Sequence, residues 1–299
     1  MRGRRSLVGI AALLLATLAG AGPPAQAPSL DEIANTGING IGELGFVQLR
    51  DGVYEGAPYV AGGAARPMVS LLRELSVHGD LDGAAGEERA LLLSSTTGGS
   101  GERIYLAAFG RGADGQIRNI ASVLVGDRVK LRALAIDSPL LVLDVVETAP
   151  GEAACCGTRL ARRSYRLEDA TLQLVGNETR GRLSLAAISG IEWTLVEHNA
   201  EALAEGIRAP TLRISEGQAA GFSGCNNFHA RLQEPAAGEI RLEPTTMIST
   251  RMACEESRSA LESGYLADLS AINRYTFLQG RLVLGWQRGE SSGRLTFRR

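Results

Sequence analysis

Short apolar segments separated by glycine-containing turns recur along most of the chain, and this recurrence most strongly restricts the fold. Ala90-Leu91-Leu92-Leu93 is a continuous apolar run, as in a strand buried on both faces. Val129 to Leu134 alternates apolar and polar residues, as in a half-buried strand. Short strands at regular spacing favour antiparallel sheets. The 37 glycines and the low aromatic content of 5% agree with many turns and few long helices.

The first half of the chain is predicted to be almost entirely β. Further strand patterns occur at residues 46–49, 69–77, 104–109, 117–125, 140–146 and 165–167. Leu172 to Leu185 is predicted to form a pair of strands around Gly176-Asn177. Pro28 to Gly45 is predicted to be a loose lead-in. Its Gly40–Gly45 run has the G-x-G-x-x-G form, but strand-like residues follow where a dinucleotide site needs a helix.

The second half has the same β pattern with one interruption. Strands are predicted at residues 191–195, 211–215, 219–222, 228–233, 239–243, 274–278, 281–286 and 294–297. Between them, Leu261, Tyr265, Leu269 and Ile272 recur at helical spacing, which predicts an amphipathic helix over 257–272. Ser259 and Glu262 are predicted to form its capping box.

These patterns predict an α+β fold that is mostly β, with two sheet-rich domains. The first, residues 28–185, is of unknown type. The second, residues 186–299, is predicted to be an antiparallel sheet with one packed amphipathic helix. The chain of 299 residues is long enough for two domains of this size.

The N-terminus has the pattern of a secretory signal peptide, predicted over residues 1–27. Arg2, Arg4 and Arg5 precede an apolar run from Leu7 to Leu18. Small residues allow cleavage after residue 21 or after residue 27, and Pro28 disfavours the second. The run is shorter than the roughly 20 residues of a spanning helix. We therefore expect a periplasmic or secreted protein without a transmembrane segment after cleavage. Its formal net charge of −2 argues against a nucleic-acid partner.

Two of the four cysteines bracket a stretch with paired motifs. Gly224-Cys225-Asn226 opens it, Thr250-Arg251-Met252-Ala253-Cys254 closes it, and a Trp193-x-Leu195 strand precedes both. With the helix and the Leu282-Val283-Leu284 strand that follow, this order resembles the META/HslJ-like domain of bacterial envelope proteins. The resemblance covers residues 191–297. It implies a compact α+β domain, links to envelope stress and drug tolerance, and no established enzymatic activity.

The chain departs from the family pattern after Phe228. The family often has an F-x-G-x-Y run there, whereas Ala230 and Leu232 occupy the glycine and tyrosine positions here. If that tyrosine belongs to a binding surface in the family, we expect the surface to be altered in this chain.

The cysteines are expected to form disulfides, because exported proteins meet an oxidising compartment. We predict a Cys225–Cys254 disulfide. The alternatives are two free thiols or a metal held by Cys225, His229 and Cys254, a donor set that lacks a fourth ligand. The adjacent Cys155 and Cys156 are predicted to form a vicinal disulfide or to remain free thiols, and a redox role is the further alternative.

No residue set predicts catalysis, a cofactor or a strong metal site. Asp80 and Asp82 begin a calcium-like loop, but Ala84 supplies no ligand where such a loop needs one. They are therefore only a weak calcium candidate. His78, His198 and His229 have no spacing that places a base beside a nucleophile, and we expect them to be surface or strand-flanking residues.

The sequence therefore predicts a non-enzymatic, exported envelope protein that acts as a binding or stress-related module. Its partner is expected to be an unidentified protein or an envelope ligand. A secreted hydrolase with unrecognised catalytic residues is the alternative from another class. An inhibitor of an extracellular enzyme, recognisable by a projecting rigid loop, is a third.

Overall fold

The computed structural model describes residues 26–84, 86–99, 101–153 and 156–299. Within these ranges antiparallel strands predominate, and the α-helices are α1 (Leu30–Ile33) and α2 (Glu256–Leu269). None of the helices in the described ranges has the length and apolar character needed to cross a bilayer. The prediction of a mostly β fold is confirmed.

Two facing sheets and a two-stranded hairpin form the first half. The strands are β1 (Gly37–Ile41), β2 (Gly45–Gln48), β3 (Val53–Glu55), β4 (Met68–Gly79), β5 (Glu88–Thr96), β6 (Arg103–Arg111), β7 (Ile117–Asp127), β8 (Lys130–Asp137), β9 (Leu140–Glu147), β10 (Arg159–Glu168) and β11 (Thr171–Arg182). One sheet has the order β3-β4-β5-β6-β7 and the other β11-β10-β9-β8. Leu92, Leu106, Leu143 and Tyr165 belong to the core between them.

The prediction of a loose lead-in over residues 28–45 is wrong. Ser29 and Glu32 form a capping box around α1, and β1 pairs with β2. Ile33 and Ile38 pack on the outer face of the five-stranded sheet against Leu91 and Leu93 of β5. The central strand β5 is therefore buried on both faces, as its continuous apolar run predicts. The Gly40–Gly45 run lies in this hairpin rather than before a helix.

The predicted strand pair over residues 172–185 is also wrong. Strand β11 runs without a turn through Gly176-Asn177 and pairs along its length with β10. Ser164 faces Gly176 and Tyr165 faces Leu174, so Val175 is an extra residue in the ladder. A glycine within a strand pattern is compatible with a bulge as well as with a turn, and here the bulge forms.

The second half forms a ten-stranded sheet that curls into a barrel-like shape. Its strands are β12 (Glu192–His198), β13 (Glu201–Ala202), β14 (Thr211–Ser215), β15 (Gln218–Phe222), β16 (Asn227–Gln233), β17 (Arg241–Leu242), β18 (Ile248–Ser249), β19 (Ile272–Leu278), β20 (Arg281–Arg288) and β21 (Ser291–Arg298). The main order is β17-β16-β15-β14-β12-β21-β20-β19. A bridge between Glu239 and Arg274 brings its two ends together.

Helix α2 packs against this barrel through a buried stripe. Tyr265 and Leu269 are fully buried, and the Tyr265 ring meets Phe228 and Phe297 edge-on at centroid distances of 6.0 and 6.4 Å. The predicted helix is confirmed with slightly different ends. The predicted capping box is wrong, because α2 begins before Ser259 and Glu262 lies inside it. Glu262 instead binds the turn that precedes β16.

The two halves of the chain share packed surfaces. Val146 of β9 and Leu160 of β10 belong to the same apolar core as Trp193 and Phe277. The amide of Gly280 donates to the carbonyl of Leu131 at 2.9 Å. Residues of the first half therefore contribute to the apolar core of the barrel and form a backbone hydrogen bond with it.

Candidate functional site

The turn between β15 and β16 carries the first cysteine motif. Gly224 has φ +115°, a conformation that L side chains rarely adopt, and its α-carbon faces Leu261 of α2. Ser223, Cys225 and Asn226 are buried beside it. The tight turn thereby brings the motif against the side of α2.

Glu262 accepts three hydrogen bonds from this turn. The backbone amide of Asn226 donates to Oε1 at 3.0 Å, and its side-chain Nδ2 donates to Oε2 at 3.0 Å. The hydroxyl of Ser223 also donates to Oε1. Partial burial raises the pKa of Glu262, but the three hydrogen bonds outweigh that effect and hold the pKa below its ordinary value. Glu262 is therefore a charged acceptor at neutral pH.

The other end of the Asn226 side chain holds the second motif. Its Oδ1 accepts from the hydroxyl of Thr250 at 2.8 Å and from the amide of Met252 at 2.7 Å. The amide of Thr250 donates to the carbonyl of Asn227 at 3.0 Å. Asn226 thus joins α2, the β15–β16 turn and the segment before α2.

A disulfide adds a covalent link at the same place. Cys225 and Cys254 are bonded with their α-carbons 6.1 Å apart, as predicted. His229, the third residue of the alternative metal set, is hydrogen-bonded to Gln218 at 2.7 Å. We call residues 248–254 the tethered segment, since the disulfide and the Asn226 hydrogen bonds fix it to the barrel.

The tethered segment exposes large apolar side chains. Ile248 is 67% exposed and Met252 is 59% exposed. Strand β18 pairs with β16, and a shallow cavity of about 310 Å³ lies between them, lined by residues 227–229 and 248–250. Restrained apolar side chains at the surface are typical of interaction sites.

Ala230 and Leu232, the departures from the family pattern, point away from this surface. Both are buried in the barrel core with Phe228 and Trp193. The expectation that a binding surface of the family is altered at these positions stays a prediction, and the altered positions lie in the barrel core. They change what fills the barrel, because alternate residues of β16 face inward.

The vicinal disulfide stays a prediction. Cys155 lies outside the described residues, so its pairing with Cys156 is not described. The predicted signal peptide over residues 1–27 lies almost entirely outside the described residues as well.

In the structure, the carboxylate of Glu88 lies beside those of Asp80 and Asp82, the two residues of the calcium candidate. Oxygen atoms of Asp80, Asp82 and Glu88 lie within 4.8 Å of one another. Burial raises the pKa of Glu88, and the negative charges of Asp82 and Asp80 add to this effect, while the amide of Leu81 donates to the Glu88 carboxylate at 2.9 Å. Carboxylate oxygens suit calcium, which takes 6–8 oxygen ligands. Glu88 is at the wrong spacing for a calcium loop, and the pairing of β4 with β5 rather than loop spacing places it there.

A second polar cluster was missed at the far end of α2. Asp268 is only 2% exposed and binds His198 Nε2 at 2.7 Å, Asn199 Nδ2 at 3.1 Å and Arg288 at 2.5 Å. His198 is thus engaged with a buried carboxylate and is not merely strand-flanking. Asp268 and Glu262 share a face of α2 with Tyr265, and this helical spacing is the signal that could have identified both.

The other two histidines bind exposed partners. His78 lies 3.0 Å from Glu87, and His229 binds Gln218. In the described part of the chain, each histidine side chain is thus hydrogen-bonded to a carboxylate or an amide.

The fold and the paired motifs define the second half as an antiparallel, barrel-like domain with one packed helix and a disulfide-tethered segment. Residues 186–299 match the family model of the META domain. The resemblance predicted from the paired motifs is confirmed for this region.

Two solved structures are similar to part of the chain. One NMR structure is 18% identical with a TM-score of 0.32 and covers 39% of this chain and 94% of its own. An NMR structure of a protein from Burkholderia xenovorans is 24% identical with a TM-score of 0.30 and covers 39% of this chain and 88% of its own. No curated protein matches the chain.

Proposed function

We propose that this protein is an exported, non-enzymatic binding protein and that the tethered segment contacts an envelope protein. The observation that carries the proposal is the exposure of Ile248 and Met252 on a segment fixed by a disulfide and by Asn226. Fixing a loop before binding reduces the conformational entropy lost on association. Apolar side chains held in this way favour a protein partner.

Export is part of the proposal. The arginine-rich N-terminus and the apolar run after it have the pattern of a signal peptide. The Cys225–Cys254 disulfide supports the same compartment, because disulfides persist mainly outside the reducing cytoplasm. A periplasmic or secreted location accounts for both the signal-peptide pattern and the disulfide.

Crosslinking of the full chain to its partner tests the proposal. Ile248→Ser with Met252→Ser is the test variant. Leu174→Ser with Val175→Ser is the matched control, because these apolar residues are also exposed but lie on β11. A photo-crosslinker at Ser249, introduced in each variant, should capture one envelope protein in wild type and control and lose it in the test variant. Capture that persists in the test variant contradicts the proposal.

The same experiment addresses the alternative functions. A captured enzyme that loses activity when the protein is added identifies an inhibitor. A hydrolase instead predicts substrate turnover by the purified protein. Turnover without any capture at Ser249 would replace the binding proposal.

A further inference from the structure

A basic cavity lies where the two halves of the chain meet, away from the tethered segment. Its volume is about 410 Å³, within the range of small-molecule sites. Arg132 of β8, Arg281 of β20 and Arg298 and Arg299 at the end of β21 line it, with Glu74 as the one acidic side chain among the lining residues. The wall therefore has a surplus of positive charge.

The nearby carboxylates are already paired with other arginines. Glu74 receives a hydrogen bond from Arg281 Nε at 2.7 Å, and Glu197 receives one from Arg281 at 2.9 Å. Asp144 is held by Arg162 through two hydrogen bonds of 2.7 and 2.9 Å. Asp144 and Glu74 therefore act on Arg132 and Arg298 only through charge attraction without an ion pair.

Three cavity arginines have no ion pair within the described residues. They are Arg132, Arg298 and Arg299. Arg132 donates to the carbonyl of Ala187 at 3.1 Å, but its Nε is buried without a partner. Burial lowers the pKa of Arg132, attraction to Asp144 opposes this effect, and repulsion by Arg299 adds to it. A buried donor without a partner costs free energy that a bound anion can recover.

The cavity also has an apolar wall. Leu75 and Leu134 line it beside the arginines. Guanidinium groups bind phosphate and carboxylate through paired hydrogen bonds, whereas leucine side chains favour an alkyl group. We propose that this cavity binds a small organic anion, with its phosphate or carboxylate at Arg132 and Arg299 and its apolar part against Leu75 and Leu134.

Calorimetric titration of the full chain tests the proposal with three probes, hexyl phosphate, hexanoate and inorganic phosphate, at about 0.15 M salt. Saturable binding of either hexyl probe supports the site, and the tighter one identifies the acidic group. Hexyl phosphate is expected to bind at least about tenfold more tightly than inorganic phosphate, because its chain buries several methylene groups. Absence of saturable heat from both hexyl probes, or equal affinity for hexyl phosphate and inorganic phosphate, overturns the proposal.

A pair of variants separates the site from general charge attraction. Arg299→Gln removes an exposed cavity arginine and should weaken binding about tenfold. Arg213→Gln removes an exposed arginine of β14 and should leave the affinity unchanged. Unchanged thermal midpoints would show that both variants are folded. Equal weakening by the two variants, or none by Arg299→Gln, contradicts the assignment.

Discussion

Asn226 and Glu262 connect the two cysteine motifs through side-chain hydrogen bonds. Asn226 satisfies its amide through Glu262 on one side and through Thr250 and Met252 on the other. A buried amide that loses such partners costs more than the bonds themselves contribute. These hydrogen bonds explain why an asparagine, rather than an apolar residue, occupies the third position of the Gly-Cys-Asn motif.

Glu262→Gln is expected to lower the free energy of unfolding at pH 7 by about 1–3 kcal/mol, because a side-chain amide cannot accept all three hydrogen bonds. The folded-state pKa of Glu262 is lowered, so its contribution is present above the ordinary glutamate value of 4.5 and is lost as the pH falls through the folded pKa. The difference between variant and wild type should therefore shrink in acid. Urea unfolding at several pH values measures it.

The control for this prediction is Glu205→Gln, which changes an exposed glutamate outside α2. This variant should unfold like the wild type across the same pH range. A pH-independent difference for Glu262→Gln would contradict the role of its ionised form.

At the residue scale, the sequence identifies Cys225 and Cys254. It does not identify Glu262 as the carboxylate that binds the turn containing Cys225. Cys225 and Cys254 are recognisable by their motifs and their spacing. Glu262 was instead assigned to a capping box, because Ser259 and Glu262 have the spacing of one. Only the tertiary position of α2 against the turn shows that Glu262 binds Asn226.

At the scale of elements, the alternation of apolar and polar residues predicts most strands well. A glycine within such a pattern is ambiguous, because it can mark either a turn or a bulge. Continuous apolar runs locate β5 and β9 because both lie in packed sheets. Gly176 produces a bulge in β11 instead of a turn, and α1 is stabilised by packing on the five-stranded sheet. Such outcomes depend on neighbouring strands that local patterns do not contain.

The disulfide is the covalent link between the β15–β16 turn and the segment before α2. Cys225→Ser with Cys254→Ser should lower the free energy of unfolding by roughly 3–4 kcal/mol, because a loop with a sequence separation of 29 is released in the unfolded chain. Denaturant unfolding without reductant measures the loss. A decrease below about 1 kcal/mol would contradict this stabilising role.

At the scale of the whole molecule, the junction depends on close approach between the two halves. Gly280 has φ +83°, and a Cβ there would lie 2.9 Å from Leu75 Cδ2. Its amide also bonds Leu131. The basic cavity lies directly beside this contact, so its shape depends on both halves.

Gly280→Ala is expected to destabilise the protein by about 1–3 kcal/mol more than Gly289→Ala. Gly289 has φ +57° and open space around its α-carbon, so the difference reports the crowding by Leu75 together with the greater backbone strain at φ +83°. Thermal and denaturant unfolding of the two variants measure it. Equal destabilisation would show that the junction accommodates a side chain.

We conclude that the paired motifs fix the tethered segment in one exposed conformation, and amide hydrogen exchange at Met252 measures whether they do. Its amide donates to Asn226 Oδ1 at 2.7 Å. The Met252 amide should be protected in the wild type and should lose about tenfold or more of this protection in Asn226→Ala, while the amides of β21 stay protected. An unprotected Met252 amide in the wild type, or unchanged protection in Asn226→Ala, would contradict it.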